Sequence, residues 1–137
     1  MGDDTPHGFK LADLGVGFGR AFGPVYLDRV GHRMIFRVSE RHENPVGVCH
    51  GGAMATFADM QIMAWKGGVE EGQSRNPTIS LSLDYLAPAP LGSCVEAAVT
   101  LVKQTRSMFF TQSIMTVNGY PVARSTAIYR NFEKAGA

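Results

Sequence analysis

The chain has 137 residues, 45% of them hydrophobic, which is the size of one compact domain with room for a real core. Its 13 basic and 12 acidic residues leave a formal net charge of +1, without the strongly basic footprint of a nucleic-acid binder, so nucleic acid is not an expected partner. Two cysteines, Cys49 and Cys94, make no disulfide framework and fit a cytoplasmic setting, while the acidic start MGDDTPHGFK and the lack of a long apolar window support neither a signal peptide nor a membrane span.

Residues 1–24 read as an irregular entry segment, with a short helical possibility over 10–14 followed by glycines at 15, 17, 19 and 23. A dinucleotide loop needs a strand before its glycines and a helix after them. Gly15-Val16-Gly17-Phe18-Gly19 is instead followed by Gly23-Pro24 and the strand-like Val25-Tyr26-Leu27, so no nucleotide role is assigned to it. A single domain is expected over 25–137. Strand signals at 25–29 and 34–38 fit a hairpin across Val30-Gly31-His32. From Gly51 to Lys66 the chain is apolar and free of proline, and Gly67-Gly68 follows as a stop, which predicts one helix of about four turns.

Four strands complete the chain. Ile79, Leu81, Leu83 and Tyr85 alternate with Thr78, Ser80, Ser82 and Asp84, the period-2 pattern of a half-buried strand that ends at Pro88 and Pro90. Val95, Ala97, Val99 and Leu101 make the next such face, and segments 107–117 and 120–130 flank Asn118-Gly119, a strong hairpin signal. Two strands, one apolar helix and four strands predict an α+β fold in which a curved antiparallel sheet wraps around one long central helix.

The stretch Asn44-x-x-Gly47-x-x-His50-Gly51-Gly52, with Asp59 seven residues beyond Gly52, resembles the PaaI-like hotdog-fold thioesterases, and TISLSLDYLAPAPLG from Thr78 to Gly92 resembles their strand and exit turn. The likeness covers most of the chain, from about 25 to 130. It implies hydrolysis of acyl-CoA thioesters by a homodimer or homotetramer, with no cofactor and with the acyl group left open. It also implies Asp59 as the catalytic acid, Asn44 as a group orienting water or thioester, and Thr78 as a hydroxyl near that acid. Asn44-Pro45 is equally a turn starter and Thr78 an ordinary strand residue.

Physical reasoning meets the same residues. A helix that starts near Gly51 leaves its first N–H groups without internal partners at the positive end of the macrodipole, where the amides of Gly51 and Gly52 would stabilise an oxyanion; the plainer reading is a glycine-rich entry chosen for packing. Asp59 lies eight residues on, roughly 12 Å along the axis, too far for both ends to reach one carbonyl. Two antiparallel helices across a dimer would bring Asp59 of one subunit to Gly51 of the other. The alternative is a carboxylate on a solvent-facing stripe. His50 either touches substrate or only packs.

Other chemistry is weaker. Cys49 and His50 are adjacent and, with His42, lack the spacing of a common zinc motif, so no metal is expected. No G-x-S-x-G elbow occurs, which leaves Asp59 as general base or nucleophile. Lys103, Arg106 and Arg124 are candidates for coenzyme A phosphates, or else solvated charges. Met54, Phe57, Met60 and Trp65 line an acyl pocket or belong to the core. The rival readings are a hotdog hydratase or dehydratase and a non-catalytic acyl-CoA-binding module.

Overall fold

A computed structural model describes residues 5–69 and 76–132. The chain enters through a two-residue strand, β1 (Lys10–Leu11), and a short helix, α1 (Phe18–Phe22), then forms a hairpin of β2 (Tyr26–Asp28) and β3 (Arg33–Arg37). Residues 10–11 of the segment read as a helical turn are therefore extended, with Lys10 opposite Leu27 and Leu11 opposite Tyr26. An isolated helical turn gains little against its nucleation cost, whereas the free edge of β2 offers residues 10–11 ready backbone partners. Ala12 N–H extends the pairing by donating to Val25 O at 2.8 Å. The entry segment thus belongs to the same sheet as the later strands; residues 1–4, 70–75 and 133–137 of the two expected spans lie outside the described residues.

After a 3₁₀ turn (Glu40–His42) the chain forms α2 (Gly51–Asp59) and α3 (Met63–Lys66). The single four-turn helix expected over 51–66 is interrupted between them. Hydrogen bonds there span three residues instead of four: Met60 N–H to Phe57 O at 3.0 Å, Gln61 N–H to Ala58 O at 3.2 Å and Met63 N–H to Met60 O at 2.9 Å. Gly67, with φ 89°, ends α3 as its N–H caps Met63 O. Met54, Phe57, Ala58 and Ala64 are buried against Met34, Phe36, Val95 and Ala97 of the sheet, and this contact forms the main core.

The remaining strands are β4 (Thr78–Tyr85), β5 (Cys94–Gln104), β6 (Met108–Val117) and β7 (Tyr120–Arg130). Asn118 and Gly119 take φ of 50° and 84°, the two positive angles that a type I′ turn between β6 and β7 requires. All neighbours pair antiparallel in one seven-stranded sheet, ordered β1-β2-β3-β5-β6-β7-β4. The helical segment crosses one face of it: α2 packs on β4, and α3 on β2, β3 and β5. The β4 edge faces solvent, with Ile79 50% and Tyr85 58% exposed.

Candidate active site

Asp59 is the last residue of α2, half-buried, and its Oδ1 accepts a hydrogen bond from Thr78 Oγ1 at 2.6 Å. Simple alternation would put Thr78 on the outer face with Ser80 and Ser82. The register shifts, however: Thr78 pairs with Tyr129 and Ser80 with Ile128, which makes Ile79 a bulge. Directly opposed residues share a face, and Tyr129 is buried under the helix, so the bulge turns Thr78 inward onto Asp59. Burial raises the Asp59 pKa above the usual carboxylate range, and the Thr78 bond works against that rise. The result is a basic carboxylate held in one orientation.

The other end of α2 is built differently. His50 is the N-cap, and its Nδ1 accepts from Gly52 N–H at 2.8 Å, so the Gly52 amide expected to face substrate is already engaged. Among the described residues nothing accepts from the Gly51 N–H, which remains the open donor at the positive helix end. Tyr85 Oη donates to Gly51 O at 2.6 Å, and a Cβ at residue 51 would meet its ring at 3.3 Å. That contact is a packing reason for glycine here. A cleft of about 430 Å³ opens alongside, lined by Gly51, Met54, Tyr85, Leu86 and Ala89 with Cys49.

β4 therefore ties to α2 at both ends in opposite order: its start, Thr78, holds Asp59, and its end, Tyr85, holds Gly51. Asn44 Oδ1 accepts from Val46 N–H at 3.0 Å and Val48 N–H at 3.2 Å, which shapes the loop that leads to His50. Its carbonyl is thus spent on the turn. Cys49 is buried and its thiol is pushed up to about 11, too high for a thiolate nucleophile near neutrality. Gln104, Phe109, Tyr129 and Thr78 lie in one row across the sheet, so the turn bearing Arg106, with Lys103 close by on β5, sits at the Asp59 end. Arg124 stands at the Gly51 end, its Nε 2.8 Å from Asp84 Oδ2 in an exposed pair. Of the predicted apolar lining, Met54 and Phe57 are buried in the core, and Met60 and Trp65 pack against it.

Sequence reasoning missed Tyr85, Tyr129 and Gln61. Tyr85 was visible only as one member of an alternating strand. Nothing marked Tyr129, whose Oη donates to Asp59 O at 2.7 Å, or Gln61 as a partner of the helix end. Among the described residues no helix is long and apolar enough to cross a membrane, and no three metal-binding side chains gather.

A seven-stranded antiparallel sheet packed on a central helical segment, with an acid at one helix end and a free amide at the other, defines a hotdog-fold protein. Residues 46–119 match the family model of the thioesterase superfamily, and the chain belongs to that family. It is 27% identical over 84 residues to human acyl-coenzyme A thioesterase 13, a match covering 58% of this chain and 56% of the relative. The chain thus spans little more than half the length of that curated relative. Two solved structures share the fold. Zebra fish thioesterase superfamily member 2 has a TM-score of 0.67 at 23% identity, covering 85% of this chain and 87% of the other. A Streptococcus mutans protein solved bound to acetyl CoA has a TM-score of 0.65 at 17% identity, covering 92% and 90%.

Proposed function

We propose that the chain hydrolyses acyl-CoA thioesters to free acid and coenzyme A, at sites built between two subunits. The observation that carries this reading is the opposed tying of α2 and β4: Thr78 with Asp59 at one end, Tyr85 with Gly51 at the other. A two-fold axis through the middle of the exposed β4 edge would pair β4 with its copy and set the Thr78 end of one subunit beside the Tyr85 end of the next. Asp59 would then face the partner's Gly51. The roughly 12 Å between them within one helix ceases to matter.

In that arrangement the thioester oxygen accepts from the Gly51 N–H, and the helix dipole adds to the stabilisation of the tetrahedral oxyanion. The Asp59 carboxylate takes a proton from water as the water oxygen attacks the carbonyl carbon; the C–S bond then breaks and the proton passes to the departing thiolate. Direct attack by Asp59 through an anhydride uses the same anion. Thr78 holds the carboxylate, and His50 shapes the helix start. Asn44 keeps its amide nitrogen for substrate or water. Lys103 and Arg106, at the Asp59 end, are the cations assigned to the coenzyme A phosphates in this reading, whereas Arg124, between the buried Ala123 and Ser125, projects from the sheet face turned away from α2 and is left out of it. Human acyl-coenzyme A thioesterase 13, by its name, acts on this substrate class, and the S. mutans fold neighbour holds acetyl CoA.

The test is release of free thiol from a panel of acyl-CoA types by purified protein. Hydrolysis of at least one member supports the reading. Tight binding of coenzyme A esters without thiol release would assign a ligand-binding module instead.

A further inference from the structure

Beneath the end of α2 lies a buried polar cluster that the proposed chemistry does not use. Gln61, fully buried, donates from Nε2 to Ala58 O at 2.9 Å and to Ser125 Oγ on β7 at 2.7 Å, and its Oε1 accepts from Thr111 Oγ1 on β6 at 2.7 Å. Ser125 in turn shares a 2.7 Å hydrogen bond with Ser113. Every polar atom of the amide is satisfied, and the carbonyl it grips belongs to the residue before Asp59. The next carbonyl, that of Asp59 itself, accepts from Tyr129 Oη at 2.7 Å. A buried amide in the break between α2 and α3, bonded to two different strands, does more than fill space.

We infer that Gln61 is a positioning residue for the site: it breaks the central helix after Asp59 and, with Tyr129, anchors that end to β6 and β7 so that the carboxylate meets Thr78. The inference rests on Asp59 being the reacting acid. The placement is over-determined from three strands. β4 holds the side chain through Thr78, β7 holds the backbone through Tyr129 and Ser125, and β6 holds Gln61 through Thr111. Among the described residues, the titratable group that meets Asp59 from the sheet is Tyr129. Burial and the neighbouring carboxylate push its pKa up, so it stays a neutral donor.

The experiment compares Gln61→Met, Thr111→Val, Thr78→Val and the Gln61→Met/Thr78→Val double variant with wild type. Two readouts are taken on folded protein: steady-state kcat and KM, and the titration of the Asp59 carboxyl carbon by NMR. A small misplacement of a catalytic group costs up to about a hundredfold in rate, so Gln61→Met should lower kcat by about tenfold or more with KM within about twofold. Its Asp59 titration should move up in pH, as in Thr78→Val, because the hydroxyl that favours the charged form no longer meets it. The double variant should show no further upward move. Thr111→Val, nearly isosteric, should shift both readouts in the same direction and decides the matter should Gln61→Met fail to fold. Wild-type kcat and an unmoved Asp59 titration in folded Gln61→Met or Thr111→Val would overturn the inference and leave Gln61 a stabilising residue only. Because the carboxyl titration needs no turnover, the two failures are distinguishable: absence of thioesterase activity in wild type would sink the functional reading, whereas an unmoved Asp59 titration in the variants would sink this one.

Discussion

Burial pushes the Asp59 pKa up while the Thr78 hydroxyl pulls it down, and both effects feed the chemistry proposed for it. Asparagine keeps the shape and a hydrogen-bonding oxygen, yet neither takes a proton from water nor attacks a carbonyl as an anion. Asp59→Asn should lower kcat by at least about a hundredfold with KM little changed, since general-base help alone contributes about 10² to 10⁴-fold. Near-wild-type turnover by the folded variant would move the chemistry elsewhere. The sign for stability also follows. A carboxyl whose folded pKa is raised binds its proton more tightly in the folded state, so its contribution is most favourable below the unfolded value and declines as pH rises through the folded one. At neutral pH the substitution should therefore leave the unfolding midpoint unchanged or higher. Thr78→Val removes the bond that lowers the pKa, so the acidic limb of kcat against pH should move to higher pH. An unmoved limb would separate Thr78 from the base. Asp59 was legible as an isolated acid on an apolar helix, but its contact with Thr78 was indicated only by the family resemblance and not by the strand pattern, because the bulge at Ile79 reverses a face that strict alternation assigns outward.

At the level of elements, β4 to β7 could be read directly, since their period-2 patterns and the Asn118-Gly119 turn are local signals. β1 and the helix break could not. β1 exists only because β2 offers an edge, and the break depends on Gln61 finding Thr111 and Ser125, 50 and 64 residues away in sequence. The 3₁₀ turn before the site shows the same dependence. Buried His42 accepts from Ser39 N–H through Nδ1 at 2.9 Å and donates from Nε2 to Phe22 O at 2.6 Å, so its role requires the neutral ring. Burial lowers its pKa, the Phe22 carbonyl works against that, and Arg41 adds to the lowering. In this window the unfolded state binds more protons than the folded one, so stability should fall as pH drops from about 6.5, the ordinary histidine value, through the depressed folded value. His42→Gln keeps a capping-box acceptor without a titrating ring. Thermal midpoints followed from pH 8 to pH 5 should decline in wild type and flatten in the variant, even if the variant starts lower for losing the ring contacts with Phe22 and Phe36. Equal slopes would clear His42 of the acid sensitivity.

For the whole molecule, the decisive feature is a mismatch that was already readable in the sequence: an acid and an open amide at opposite ends of one helix. The structure adds the exposed β4 edge on which a second copy would resolve it, with each end of β4 already tied to one of the two groups. What no local pattern revealed is that β4 would be an edge, because strand order is set by long-range pairing with β7. If each site takes Asp59 from one subunit and Gly51 from the other, two inactive variants must complement. Asp59→Asn retains a sound Gly51 end, and Gly51→Val retains Asp59 while its side chain crowds Tyr85 and should screen the amide from substrate. In a mixed dimer one site carries both defects and the other carries none. Random assortment makes about half of the dimers mixed, each with one working site of two, so co-expressed variants should recover about a quarter of wild-type activity from parents that are each nearly dead. Sites contained within single chains would give no recovery at any ratio, and a fully active monomer in light scattering would equally rule out a site shared between subunits.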